Sequence, residues 1–224
     1  MQITKVLLFL STISLFVINA KVQKIVPQKT VLLYPFGDAN TIGRYIGENV
    51  ERSITMQCAL DLKSRIESLF PAISVMLSRK PGEILPFLQN AHFANCLNVD
   101  LFISLHFYQE TDTLPNLYIY QYKDSSYFIK PSDQLMLYPY HQAYLFNQDK
   151  TKICAQKMAL DLSLPAYQKL FTVHHPIIAF PAKPLMGIIP IAIMIEMGIK
   201  DENDWSMYSK PLCNAIIEVI KNIQ

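Results

Sequence analysis

The chain has 224 residues, of which 51% are hydrophobic and 17% are charged. This composition excludes a disordered chain, and the length is enough for one domain with a sizeable core. A formal net charge of +2 without a basic stripe gives no footprint for nucleic acid, so we expect no nucleic-acid partner.

The first twenty residues have the pattern of a secretory signal. Lys5 gives a short basic start, residues 6–17 form an apolar run, and Asn19–Ala20 offers a small-residue cleavage site. The run is shorter than the roughly 20 apolar residues that span a membrane. We therefore expect cleavage after Ala20, export to the periplasm or the extracellular space, no stable membrane span after cleavage, and a single domain over residues 21–224. An uncleaved anchor is the rival interpretation.

Strand and helix patterns alternate through the first half of the mature chain. Apolar runs bounded by proline or polar loops predict strands, and apolar residues at three-to-four spacing predict helices. This alternation predicts a three-layer α/β domain, with a mostly parallel central sheet of about six strands and helices on both faces. The predicted elements are strands at 30–33, 73–77, 100–106 and 117–122 and helices at 51–70 and 84–97.

The second half is less regular. Residues 123–149 are aromatic and proline-containing without a clear period, and we interpret them as a long surface excursion such as a lid. Residues 171–190 are ambiguous. The remaining predicted elements are a helix at 151–162, an apolar strand at 191–195 and an amphipathic helix at 205–223.

The cysteine spacing matches no zinc-finger pattern. Cys58, Cys154 and Cys213 fall within predicted helices among apolar neighbours, so we expect them to be small buried hydrophobic residues. Cys96 completes the set, and the connectivity of any disulfide cannot be read from the sequence.

His106 ends the strand predicted at 100–106, whose apolar run fits a central strand covered on both faces. In such sheets the carboxyl ends of the strands are where ligands and chemistry gather. A histidine at this position can bind a metal, transfer a proton or remain hydrogen-bonded in the core.

Two glutamates occupy comparable positions. Glu196 follows an apolar strand, a poorly solvated setting that suits proton transfer, although it could also cap the strand end in water or pair with a nearby arginine. Glu51 begins a helix, where an acid favours the macrodipole and needs no other reason. With His106, both fall at the carboxyl edge of the sheet. A histidine and a carboxylate suit zinc, and a further glutamate can act as general base on zinc-bound water.

Three segments share their order and spacing with one known family. Ala94–Asn95 and residues 100–106 are similar to Ala-Asn, a short spacer and Ala-Asp-Leu-Phe-Ile-Ser-Ile-His, and residues 190–198 resemble Pro-Ala-Val-Leu-Val-Glu-x-Gly-Phe. The helix that begins at Glu51 is similar to one that opens on a ligand glutamate. These segments resemble the zinc-dependent N-acetylmuramoyl-L-alanine amidases (type 3), which cut the amide between muramic acid and the peptide stem of peptidoglycan. The likeness extends from about Thr30 to the carboxyl terminus.

By position, the resemblance implies that Glu51 and His106 are zinc ligands and that Glu196 is the catalytic glutamate that activates water. It also implies Zn as cofactor and peptidoglycan or muropeptides as partners. The first family motif, Asp-Pro-Gly-His-Gly-Gly, is degenerate, because residues 34–39 read Tyr-Pro-Phe-Gly-Asp-Ala and place Gly37 where the ligand histidine stands. Asp38 is ordinary turn chemistry or a substitute ligand, and a histidine of the excursion, such as His141, is the other candidate.

Two functions follow. The first is a secreted amidase that hydrolyses the muramoyl–peptide amide with zinc-activated water. The alternative is a catalytically inactive amidase fold that binds cell-wall fragments or a partner without cleavage; it is motivated by Gly37 and by bulky Phe36, Phe107 and Tyr108 near the cleft. A deacetylase or peptidase on a related sheet has little support, since the sequence has neither a Gly-x-Ser-x-Gly elbow nor a His-Glu-x-x-His helix.

Overall fold

The computed structural model describes residues 29–124 and 139–223. The predicted signal at 1–20 lies outside the described residues. The strands are β1 (Lys29–Pro35), β2 (Tyr45–Ile46), β3 (Asn49–Val50), β4 (Ile73–Leu77), β5 (Leu101–Gln109), β6 (Asn116–Tyr122), β7 (Thr172–Val173), β8 (Ile178–Phe180) and β9 (Ile191–Ile199), and the α-helices are α1 (Glu51–Leu69), α2 (Phe87–Cys96), α3 (Gln148–Leu162) and α4 (Ser206–Lys221). Short 3₁₀ helices cover Tyr140–Asn147 and Lys183–Leu185.

The main sheet has seven strands in the order β4-β1-β5-β9-β6-β7, with β8 also pairing with β6. The four strands β4, β1, β5 and β9 are parallel, and β6 runs antiparallel to β9. The prediction of a mostly parallel sheet of about six strands is therefore confirmed, with the two short strands β7 and β8 added at the β6 edge.

The two faces of the sheet pack against different helices, which confirms the three-layer prediction. In β5, Leu101, Ile103 and Leu105 point into a core shared with α1, α3 and α4, because alternate strand residues share a face. Phe102 of the same strand packs on the opposite face with α2 and the segment around Leu185. Within the described residues, no helix has the length and apolar character that crossing a membrane requires.

The two central strands extend further than predicted. β5 continues to Gln109 and β9 to Ile199, so that His106 and Glu196 lie inside their strands rather than at the ends. The ladder continues because Phe107 pairs with Met197 and both side chains are fully buried. The prediction from the apolar runs therefore underestimated the length of both strands, because residues beyond each run are also buried and continue the strand pairing.

The predicted excursion at 123–149 is partly wrong. Residues 140–147 form a 3₁₀ helix with Gln142 and Ala143 buried, and α3 begins at Gln148 rather than at 151. The segment 125–138 lies outside the described residues. The cysteine prediction is confirmed, because Cys58, Cys154 and Cys213 are buried free thiols and Cys96 is an exposed one.

Candidate active site

The structure brings together the three residues predicted for the sheet edge. His106 and Glu196 are direct neighbours in the β5–β9 pairing, and Glu51 Oε1 lies 3.4 Å from His106 Nδ1. All three line a cleft of about 550 Å³. Other residues of the cleft lining are Phe36, Gly43, Arg44, Tyr120, Phe180 and Lys183.

Glu51 is a buried acid that reaches out of its helix toward β5. Its side chain is 1% exposed, and its two oxygens accept hydrogen bonds from the backbone N–H groups of Arg44 and Phe107, each at 3.1 Å. Gly43 permits this approach, because a Cβ on Gly43 would lie 2.7 Å from Glu51 Cβ. A favourable interaction with the helix macrodipole would not require Glu51 to be buried. The hydrogen bonds from Arg44 and Phe107 therefore determine where its carboxylate lies.

His106 is held on three sides. Its Nε2 shares a hydrogen bond of 2.8 Å with Ser104 Oγ, and its Nδ1 faces Glu51. The ring of Phe36 lies against the imidazole, with 4.3 Å between ring centroids. Because alternate residues of a strand share a face, Ser104 and His106 stand side by side on the face of the sheet opposite α1.

Glu196 is bound by a cation and a phenol. Its Oε1 accepts a hydrogen bond from Arg44 Nη1 and its Oε2 accepts one from the Tyr120 hydroxyl, both at 2.6 Å. Burial disfavours the Arg44 cation, but the bond to Glu196 and the charges of Glu196 and Glu51 outweigh burial and raise the pKa of Arg44. Burial and the same carboxylate raise the pKa of Tyr120. The pairing of Glu196 with an arginine, one of the alternatives open in the sequence, is therefore present.

The backbone at Gly37 leaves no space for a side chain that could act as a metal ligand. Its φ of +86° is in the left-handed region, and a Cβ there would lie 2.6 Å from Arg52 Cβ and 2.8 Å from Thr41 O. Arg79 holds this loop in place, because its buried guanidinium donates to the carbonyls of Pro35 and Arg52. A larger side chain at position 37 would thus clash with the start of α1.

Asp38 is occupied by its own turn. Its Oδ1 accepts hydrogen bonds from the backbone N–H groups of Asn40 and Thr41, and its Oδ2 accepts one from Leu85. Burial opposes the charge of this carboxylate, but the three bonds outweigh burial and lower its pKa. Asp38 lines a separate cavity of about 640 Å³ beside Arg52, away from the cleft. These contacts agree with the turn interpretation, and Asp38 is not part of the cleft lining.

The described residues do not fit a catalytic zinc site. Within residues 29–124 and 139–223, no group of three or more His, Cys, Asp or Glu side chains is placed to hold a metal. Catalytic zinc usually has three protein ligands, and Glu51 with His106 supplies two. His141 is not part of the cleft lining. Within the cleft, the guanidinium of Arg44 pairs with the carboxylate of Glu196, and the charge of Glu51 also favours the Arg44 cation.

Sequence reasoning missed Gly43, Arg44 and Tyr120. Gly43 and Arg44 lie in an irregular loop where no period indicates orientation. Tyr120 had a usable signal, because the alternation of β6 places Tyr118 and Tyr120 on one face. The register that sets them beside Glu196 depends on the antiparallel β6–β9 pairing, which local pattern does not indicate.

Solved N-acetylmuramoyl-L-alanine amidases share this fold. The catalytic domain of CwlV from Bacillus (Paenibacillus) polymyxa var. colistinus is 16% identical with a TM-score of 0.62, and the match covers 88% of this chain and 100% of that domain. An N-acetylmuramoyl-L-alanine amidase from Clostridium difficile 630 is 16% identical with a TM-score of 0.65 and the same coverage. Apo Ami1 from Mycobacterium abscessus is 12% identical with a TM-score of 0.63, covering 87% of this chain and 99% of that one. No family model and no curated protein matches the chain.

Proposed function

We propose that this protein is an amidase-like protein of the cell envelope that binds the muramoyl–peptide junction of peptidoglycan in the cleft of Glu51, His106 and Glu196, without zinc-dependent cleavage. The fold of solved N-acetylmuramoyl-L-alanine amidases supports the class of ligand. The predicted signal at residues 1–20 agrees with export to the compartment where peptidoglycan lies.

One observation favours binding over cleavage: Arg44 donates a hydrogen bond to each of the two acids of the cleft. Its guanidinium bonds to Glu196 at 2.6 Å, and its backbone N–H bonds to Glu51 at 3.1 Å. A carboxylate in a charge-assisted bond of this kind is poorly available as a general base, because proton uptake would break the pair. Gly37 and Asp38 leave the metal with too few ligands in the same cleft.

The cleft suits a peptide attached to a sugar. Lys183 provides positive charge for the carboxylates of a stem peptide, and Phe36 and Phe180 provide apolar surface. Ligand sites commonly combine an apolar lining with a few polar groups that fix orientation. The cavity of about 550 Å³ is within the range of small-molecule sites.

Hydrolysis of the same amide is the second candidate. It is favoured by the presence of Glu51, His106 and Glu196 in one cleft and by the 3.4 Å between Glu51 Oε1 and His106 Nδ1. That spacing is about the edge of a zinc coordination tetrahedron with bonds of roughly 2.0–2.1 Å. It is also the spacing of a simple carboxylate–imidazole pair.

Sedimentation with purified peptidoglycan sacculi tests the proposal. The full chain, treated with EDTA, should pellet with sacculi, and mass spectrometry should find no released stem peptide with or without added zinc. Arg44→Ala should weaken binding about tenfold, because it leaves the charge of Glu196 without its partner beside the carboxylates of the stem peptide.

The matched control is Arg65→Ala. Arg65 also makes a 2.6 Å ion pair, with Asp61, and its side chain is 49% exposed against 52% for Arg44, but it lies on α1 away from the cleft. Equal losses for both variants would refute the cleft as the binding site. Zinc-dependent release of stem peptide that disappears in Glu196→Gln would refute the proposal in favour of hydrolysis.

A further inference from the structure

A second cavity adjoins the cleft. It measures about 420 Å³ and is lined by Arg44, Glu196 and three tyrosines. Arg44, Glu196 and Tyr120 also line the first cleft, so the Arg44–Glu196 pair borders both spaces, which we call the two chambers. We call the three tyrosines of the second chamber, Tyr108, Tyr118 and Tyr120, the tyrosine wall.

The strand register puts the wall on the face of the sheet that carries Glu196. Tyr118 is paired directly with Glu196, and Tyr120 is two residues further along β6. Tyr108 follows His106 by two residues on β5. Because paired residues and alternate residues share a face, the three rings stand beside the candidate catalytic glutamate.

Contacts with His174 and Glu110 hold the tyrosine wall in place. His174 stacks on Tyr118 with 4.3 Å between centroids and 12° between planes, and its Nε2 hydrogen-bonds to Asn116 Oδ1 at 2.7 Å. The hydroxyl of Tyr108 donates to Glu110 at 2.8 Å, and Asn116 donates to the same carboxylate at 2.9 Å. The wall is therefore ordered before any ligand arrives, which lowers the entropy cost of binding.

The hydroxyls of two wall residues already have partners inside the protein. Tyr108 bonds to Glu110, and Tyr120 bonds to Glu196. The wall thus adds aromatic ring surface to a cavity that also has polar groups, with the Arg44–Glu196 pair at one end and the Arg44 guanidinium 5.8 Å from the centroid of the Tyr108 ring. A pyranose has the complementary form, with an apolar C–H surface on the ring and polar hydroxyls around its edge.

We propose that the tyrosine wall is a glycan subsite that stacks a hexosamine ring, while the cleft that shares the Arg44–Glu196 pair with it holds the peptide stem. This assignment rests on the proposed function. The two chambers differ in the way that the two parts of the ligand differ: Lys183 lines only the cleft, where peptide carboxylates would lie, and Tyr108 and Tyr118 line only the second chamber.

Two simple probes separate the chambers. A tetrasaccharide of β-1,4-linked N-acetylglucosamine carries no peptide, and a free stem tripeptide carries no sugar. Each is titrated into the full chain by calorimetry. Tyr118→Ala should weaken tetrasaccharide binding about tenfold, because loss of an aromatic anchor costs on the order of 1–2 kcal/mol. It should leave tripeptide binding unchanged. Lys183→Ala should have the reverse effect.

Two further variants serve as controls. Tyr118→Phe keeps the ring and should retain tetrasaccharide affinity, and Tyr45→Ala, at a tyrosine that is 70% exposed and lines neither chamber, should affect neither probe. Thermal unfolding of Tyr118→Ala checks that the variant is folded, and if it is not, Tyr108→Leu takes its place with the same expectation.

The failures of the two proposals differ. If the tripeptide binds and its affinity depends on Lys183, the proposed function is retained. The glycan subsite is overturned in that case if the tetrasaccharide does not bind, or if the wall variants do not change its affinity. Absence of binding for both probes would overturn both proposals.

Discussion

The loop after β1 and the adjoining strands β5 and β9 meet at one sheet edge, yet they treat their polar side chains in opposite ways. In the loop, the carboxylate of Asp38 is surrounded by backbone N–H donors, and Gly37 has no space for a side chain. On the strands, His106 and Glu196 face an open cleft. The polar groups of the loop stabilise the fold, whereas the polar side chains of the strands are accessible to a ligand.

The difference teaches that a residue type at a motif position does not define its role. Asp38 and Glu196 are both acids on the carboxyl side of the sheet, but the partners of Asp38 are backbone N–H groups and those of Glu196 are side chains lining the cleft. Only the second arrangement can respond to a ligand, since side-chain partners can move while a backbone turn is tied to the fold.

The largest effect is expected from Gly37→His, the substitution that would place the family's histidine in the loop. It should destabilise the protein by about 4 kcal/mol, through left-handed backbone strain and overpacking against Arg52. Gly82→His has a similar φ of +82° but nothing within 4 Å of a Cβ, and should cost about 1 kcal/mol. Urea unfolding measures both. A stable Gly37→His protein that binds zinc would show that the loop still accepts a ligand.

Asp38→Ala should come next. Removing an acceptor of three hydrogen bonds leaves the buried N–H of Leu85 unpaired and frees the turn at Asn40 and Thr41, so we expect a loss of about 2 kcal/mol in the free energy of unfolding. Sacculus binding should stay unchanged. Glu196→Gln should show the opposite pattern, with little change in stability and altered binding, because it releases the Arg44 guanidinium from its carboxylate partner. If Asp38→Ala weakened binding beyond its effect on folding, the division between loop and strands would fail.

Acid unfolding extends the comparison to the tyrosine wall. Burial opposes the charge of Glu110, but bonds from the N–H groups of Asp112 and Thr111 and from Tyr108 and Asn116 outweigh burial and lower its pKa to about 2. A lowered folded pKa contributes stability above the unfolded pKa that is lost as pH falls. Wild type should therefore lose about 1–2 kcal/mol more than Glu110→Gln between about pH 4.5 and pH 2. If the stability of the two proteins fell equally as the pH is lowered, the lowered pKa of Glu110 would not be the cause of the acid sensitivity.

Gly198→Ala should have the smallest effect on folding. A Cβ on Gly198 would lie 2.7 Å from Glu110 Oε2 and 3.0 Å from the Tyr108 ring, so the hydrogen-bonded ends of both side chains must move by a few tenths of an ångström, at a cost of about 1 kcal/mol. The displaced Tyr108 should weaken tetrasaccharide binding and leave tripeptide binding unaltered. An unchanged tetrasaccharide affinity would mean that Tyr108 does not contact the sugar.

The sequence predicts the scaffold better than the site. The period of α1 and the apolar runs of β5 and β9 are local signals, and these elements are present. The convergence of Glu51, His106 and Glu196 followed from the rule that parallel strands share a carboxyl edge. The Arg44–Glu196 pair joins residues 152 positions apart through an irregular loop, and its formation depends on tertiary packing that no local pattern encodes.

The affinity of the EDTA-treated full chain for an N-acetylmuramoyl tripeptide, measured by calorimetry before and after addition of zinc, tests the central claim most directly. We expect the same dissociation constant in both conditions and recovery of intact ligand, because the carboxylate of Glu196 already pairs with Arg44. Binding that appears only with zinc, or free tripeptide in the recovered sample, would contradict the account.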